Sequence, residues 1–321
     1  MQLAAIENHV GSFSLADGDV LRMTGKDCLA ALDRVVSQEV KSLSQGDGRL
    51  ALLLAPKGQF RAIMAVFRED DGALLLAPEG RGSELAASLG PYLRFSRVTV
   101  EPLAWDGGAM LVVGPAWPVA AASAGIDQVR VSAGGCVVAG VGGKRLLWLG
   151  RTFAGTAGAV AVAEDESVRR RLDDALAAAG AVVVVGDVLD LARIRVGFPA
   201  WGHELTETVL PPEVGLESLA VSYTKGCYVG QETIARLKTY GHPNRALVGV
   251  RQIDGPDAAP ALPLALAAAG EEKVRGQLTS AGRHPALGWV GLALVRRELA
   301  APGCRLSGAG RVFEVVALPL W

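Results

Sequence analysis

Cysteine is scarce in this 321-residue chain and never closely spaced: Cys28, Cys136, Cys227 and Cys304 lie far apart, with no CxxC pair. That pattern argues against a disulfide framework or a self-contained zinc site, and makes the reducing cytoplasm the expected home. An excess of either charge is also lacking. Lysine and arginine total 32 against 33 acids, so direct nucleic-acid binding is not expected, because an electrostatic binder needs a clustered basic face. The longest apolar stretches, around 177–185 and 258–269, are short or broken by Gly and Pro, and no membrane span is expected. Residues 1–13 show no basic stretch followed by an apolar run, so neither secretion nor organelle import is expected. The histidines His9, His242 and His284 are isolated, and no pair has the spacing of a zinc helix. Gly140 to Lys144 lacks the spacing and the Ser or Thr of a phosphate loop and reads as a hairpin turn.

Half of the residues are hydrophobic and a fifth are charged, the composition of a globular chain. Its length suggests about two domains. Alternating residues over 12–23 predict a strand, and Thr24-Gly25-Lys26-Asp27 turns into a predicted helix ending near Val40. Further strands are predicted over 50–54, 60–68, 73–77 and 98–102, with helices over 82–93 and 167–179. Helices segregated from antiparallel strands imply an α+β body. After Gly241 the character changes to short strands over 245–253, 274–279, 289–294 and 312–318, broken by Gly and Pro. A small terminal β-barrel or sandwich follows, with His242-Pro243 as its linker.

The most informative segment is Lys225-Gly226-Cys227-Tyr228-Val229-Gly230-Gln231-Glu232. It sets a thiol between glycines just ahead of a predicted helix over 231–240, which Gly241 would stop at the C′ position. Unpaired N–H groups, the positive end of the helix dipole and Lys225 would favour the thiolate, the nucleophilic and metal-binding form of Cys227. A buried structural cysteine in a glycine turn is the alternative. Glu232 lies in the first helical turn with Arg236 four residues on, either a helix-stabilising pair or a charged rim beside Cys227. Arg193 and Arg195, read as alternate residues of a strand, could form a paired clamp for an anionic ligand or a wet face paired with nearby acids. His203 and Glu204 could line the same cavity or a surface turn.

These eight residues resemble the KGCYxGQE signature of the YgfZ family, folate-binding-like proteins related to the T-protein (aminomethyltransferase) of the glycine cleavage system. The resemblance extends to Thr24-Gly25-Lys26-Asp27, Ser37-Gln38-Glu39-Val40, the stretch 52–58, Arg193 to Pro199, the loop 211–219, and two stretches of the terminal module, 276–282 and 288–295. It implies a T-protein-like body over 1–240, two α+β sub-lobes of antiparallel sheets with helices around a central cavity, and a small C-terminal β-barrel over 243–321. It also implies a cytoplasmic factor that assists iron–sulfur cluster synthesis or repair and so supports tRNA modification by cluster enzymes. The implied partners are iron–sulfur assembly proteins or cluster-containing radical enzymes. Cys227 would be the reactive thiol and a transient iron–sulfur ligand, no permanent metal is expected, and Lys225, Tyr228, Gln231, Glu232, Arg236, Arg193 and Arg195 would line the ligand site.

Two departures bear on chemistry. Where the T-protein carries an acidic pair used in aminomethyl transfer, this chain has Arg61, Ala62 and Ile63, so independent catalysis of that transfer is not expected. Where the family has a glutamate for the pterin ring, this chain has Arg195, which offers donors only. Tetrahydrofolate in the usual pose loses its acceptor, while a folate-like anionic molecule keeps a partner. The alternative reading is a folate-dependent one-carbon transferase or demethylase of the T-protein superfamily.

Overall fold

A computed structural model describes residues 2–16, 18–123, 134–153 and 155–321. Residues 124–133 of the expected α+β body lie outside the described residues. The chain forms two compact units interleaved in sequence: one gathers 1–54, 61–186 and 220–229, the other 55–60, 187–219 and 230–321.

The first unit holds two sheets. A five-stranded antiparallel sheet runs in the order Gly48–Leu54, Phe60–Glu69, Gly72–Leu76, Val20–Gly25, Val98–Pro102. Helices Cys28–Asp33 and Gly82–Leu93 bury Leu29, Leu32, Leu85 and Leu89 in one cluster with Leu21, Met23, Leu53, Val66 and Leu75 of that sheet. Each fully buried Leu or Val contributes roughly 1.5–3 kcal/mol relative to exposure. The second sheet has six strands, in the order Val182–Val183, Gly11–Ser14, Ala109–Val113, Thr156–Ala163, Lys144–Phe153, Cys136–Val141, with one parallel pairing at its first edge. Gly142 and Gly143, both at positive φ, make the hairpin turn expected ahead of Lys144.

Two expectations need correction here. The strand predicted over 12–23 is two strands, Gly11–Ser14 and Val20–Gly25, assigned to different sheets. Asp19 is the reason for the break: it is buried, and its carboxylate accepts from the N–H groups of Gly80, Arg81 and Gly82 at 2.8, 2.9 and 3.1 Å, capping helix Gly82–Leu93 from a distance in sequence. The helix predicted to reach Val40 ends at Asp33, and the chain to Val40 is held instead by Asp33 Oδ1, which accepts from Val40 N–H at 2.8 Å.

In the second unit, six strands close into a barrel: Arg245–Asp254, Gly288–Arg296, Val274–His284, Leu264–Ala268, Arg305–Gly308 and Arg311–Val316. Alternation is plainest in Arg311–Val316, where Arg311, Phe313 and Val315 are buried. Register shifts at Gln252/Asp254, Leu266/Ala267 and Leu278/Ser280 supply the bends that closure needs, and closure leaves no free strand edge. Among the described residues no helix is long and apolar enough to cross a membrane. A cleft of about 600 Å³ in the first unit is lined by Asp19, Pro102, Leu103, Trp105, Asp106 and Val162, and by none of the expected site residues.

Candidate functional site

Polar tethers, not regular structure, hold the motif loop. Ser37 Oγ donates to the Ala220 carbonyl at 2.6 Å and accepts from Leu52 N–H at 3.0 Å, while Ser222 N–H donates to the Ser37 carbonyl at 2.9 Å. Lys225 is the second tether. Its side chain is 1% exposed, and its ammonium donates to the carbonyls of Asp33, Val36 (2.8 Å) and Gln38 (3.0 Å), with the Asp33 carboxylate 3.3 Å away. Three protons meet three carbonyls, the first of them at the C-terminal end of helix Cys28–Asp33, where a cation is favoured. Burial pushes the Lys225 pKa down, opposed by the charge of Asp33. The sequence assigns this charge to the thiol; the structure gives its protons to the loop that it anchors.

Tyr228 completes the clamp. It is buried, its ring centroid lies 5.5 Å from the Lys225 ammonium, and burial pushes its phenol up to about 12. Between these two buried side chains, Gly226 and Cys227 are exposed. The thiol is therefore displayed on a loop pinned on both sides. The other cysteines differ: burial raises the pKa of Cys28, and Cys136 is pushed up to about 12 by burial with a contribution from Glu69. Cys304 is half-buried.

The rest of the motif belongs to the second unit. Gly230, at φ +80°, opens helix Gln231–Tyr240, and the turn Lys57-Gly58-Gln59 packs on its first residues. Gly58 sits at φ +88°, where an added Cβ would lie 3.2 Å from both Ile234 Cδ1 and Thr233 Cβ. Glu232 and Arg236 are largely exposed and pair at 2.8 Å, a helix-stabilising contact of a few tenths of a kcal/mol. The helix ends at Tyr240 as expected, but Gly241 is extended (φ −154°), so no left-handed C′ residue stops it.

Arg193 and Arg195 lie on helix Gly186–Val196, not on a strand. Residues two apart on a helix point to nearly opposite sides, so they do not form a parallel pair. Buried Arg193 donates to Asp190 at 2.6 Å, Glu204 at 3.1 Å and Ser280 Oγ at 2.9 Å. Glu204, fully buried, also accepts from Thr279 and Ser280 hydroxyls, both at 2.6 Å, and from Ala200 N–H at 3.0 Å. His203 Nδ1 lies 3.2 Å from the Thr279 carbonyl. This satisfied network fastens the helix to barrel strand Val274–His284. Arg195 turns elsewhere: its Nε donates to the Trp321 carbonyl at 3.2 Å and its guanidinium lies 5.8 Å from the Trp321 ring. The Gly202 turn (φ +81°) beside Glu204 is the signal in the sequence that a fixed backbone position precedes the buried carboxylate.

Residues 2–225 match the family described as the GCVT N-terminal domain. The chain belongs to that family. Among relatives, a protein named aminomethyltransferase from Corynebacterium jeikeium is 26% identical over 348 residues, covering 99% of this chain and 89% of that protein. One named tRNA-modifying protein YgfZ from Escherichia coli is 29% identical over 235 residues, covering 73% of this chain and 69% of the other. The solved glycine cleavage system aminomethyltransferase T of Bartonella henselae has the same fold, with a TM-score of 0.86 at 18% identity over 99% of this chain and 88% of that one. The expected T-protein-like fold and the resemblance to the YgfZ and T-protein group are thus borne out. In this GCVT-domain chain Arg61 is exposed and Ala62 and Ile63 are buried.

Proposed function

We propose that this GCVT-family chain is a YgfZ-type factor of the cytoplasm that assists iron–sulfur cluster synthesis or repair through Cys227, and thereby supports cluster enzymes that modify tRNA. The observation that carries this reading is the exposed Cys227 held between buried Lys225 and Tyr228: a soft nucleophile presented on a fixed loop. One thiolate does not hold a cluster, which normally takes four protein ligands, so transfer needs ligands from an assembly protein or a cluster-containing radical enzyme. Cys227 supplies a transient bond to iron, sulfur or a partner's disulfide; Lys225 and Tyr228 position it. Gln231 and Glu232 in the first turn of the helix after Gly230, together with Arg236, form the polar part of the motif.

A second reading, a folate-dependent one-carbon transferase or demethylase, is favoured by the near full-length similarity to proteins named aminomethyltransferase. It lacks an acid–base carboxylate at 61–63. With Arg195 engaged by Trp321 and supplying no acceptor, tetrahydrofolate binding is expected to be weaker than micromolar.

The test is a deletion strain assayed for cluster-enzyme activity and thiolated tRNA, complemented with wild type or Cys227→Ser. The serine variant should fold normally and fail to complement. Full complementation would leave the thiol without a chemical role, and calorimetric tetrahydrofolate binding at micromolar affinity or tighter would move the reading to the transferase.

A further inference from the structure

At the open end of the five-stranded sheet, Phe95 is 90% exposed, between helix Gly82–Leu93 and strand Val98–Pro102. Burying such a ring is worth roughly 1.5–3 kcal/mol, and here that surface faces water. One face of the ring is partnered: the Arg94 guanidinium carbon lies 5.1 Å from its centroid. Tyr92, 39% exposed, precedes it on the helix.

The surroundings are cationic. Gly25 pairs with Val98 at the end of the antiparallel register, and Lys26 follows Gly25 in the chain as Arg97 precedes Val98. Lys26, Arg94 and Arg97 are all exposed, and among the described residues none of them pairs with a carboxylate. Asp27 borders the cluster, and Asp70 and Asp71 lie beyond the Thr24–Gly72 pairing, which limits the basic surface to the Phe95 side.

We propose that Lys26, Tyr92, Arg94, Phe95 and Arg97 form a short binding platform for single-stranded nucleic acid, with a base stacked on Phe95 and phosphates on the three cations. Stacking on an exposed aromatic beside cations is the physics of sequence-tolerant single-strand recognition. This platform departs from the expectation, drawn from the overall charge balance, of no direct nucleic-acid binding: it is local and depends on an aromatic. In sequence Phe95 is flanked by Arg94, Ser96 and Arg97, polar residues that disfavour the dry centre of a protein interface. A single ring also falls short of the broad apolar face of a membrane-surface helix. The inference does not depend on the role of Cys227.

Fluorescence anisotropy of a labelled oligouridylate of about twelve nucleotides with the full chain tests it. Saturable binding is expected at low salt, weakened roughly tenfold by Phe95→Ala. The Arg94→Ala/Arg97→Ala variant should lower the slope of log affinity against log salt by about 1.4. All three side chains are exposed, so the variants should keep the wild-type unfolding midpoint. No saturable binding, or equal binding by wild type and both variants, would overturn the proposal. So would binding to phosphatidylserine vesicles that is lost in Phe95→Ala while oligouridylate binding is unaffected.

Discussion

Cys227 and its two buried neighbours divide the chemistry of the motif between a displayed group and the groups that hold it. Accessibility separates the thiols, and burial adds to it: Cys227 is exposed, whereas burial raises the pKa of Cys28 and Cys136. Alkylation with iodoacetamide at pH 8, read by peptide mapping, should label Cys227 first and Cys136 last. Tyr228 gives a pH signature. Its folded pKa of about 12 lies above the unfolded value of about 10, so its contribution to stability is complete below pH 10 and is lost as pH rises toward 12. A difference of that size between the folded and unfolded phenol corresponds to about 3 kcal/mol. Alkaline unfolding of wild type should steepen across that window, and Tyr228→Phe should flatten it; an unchanged profile would mean that another group governs alkaline stability. Lys225→Met would leave three carbonyls without their shared donor, at a cost of about 1–3 kcal/mol for each group left unsatisfied, readable in urea unfolding.

At the scale of elements, the turn at Gly58 and the helix that it packs on are the most sensitive fit. Gly58→Ala should destabilise the protein by about 1–3 kcal/mol, since it forces a left-handed alanine and crowds Ile234 and Thr233. A urea midpoint equal to wild type would show that the turn relaxes. The same scale shows what the sequence carries. Strands with strong alternation or buried β-branched runs, the helix Gln231–Tyr240 and the barrel could be read from it, because local pattern and tertiary packing agree there. Barrel strands Leu264–Ala268 and Arg305–Gly308 were not, being short and bounded by turns. Helix Gly186–Val196 reads as a strand near its end, because Arg193-Ile194-Arg195-Val196 alternates like one while Arg193 is buried through long-range partners. The motif itself was legible as residues, but the destination of the Lys225 protons was not: its acceptors are backbone carbonyls nearly two hundred positions earlier, and backbone carbonyls leave no mark in composition.

For the whole molecule, the Glu204 network decides whether the helix that precedes the motif stays joined to the barrel. Glu204→Ala would leave Arg193 with Asp190 and strip acceptors from Thr279 and Ser280, an expected loss of about 3–5 kcal/mol in equilibrium unfolding. A loss under about 1 kcal/mol would mean that water replaces the carboxylate. Glu213 plays a similar part nearer the surface, accepting from Arg245 at 2.7 and 2.8 Å at the start of the first barrel strand.

The interleaving of the two units also sets an order of events at the ribosome. Residues 55–60 are synthesised well ahead of strand Arg311–Val316, which closes the unit that they join. At translation rates of roughly 5–20 residues per second, the turn at Gly58 waits roughly 9–35 seconds for Thr233 and Ile234. Through that interval the first unit also lacks 220–229, so the Lys225 anchor cannot be set until most of the chain has left the exit tunnel. Nascent chains stalled near residue 200 should therefore be cut by protease around Gly58, and protection there should rise only once helix Gln231–Tyr240 has emerged.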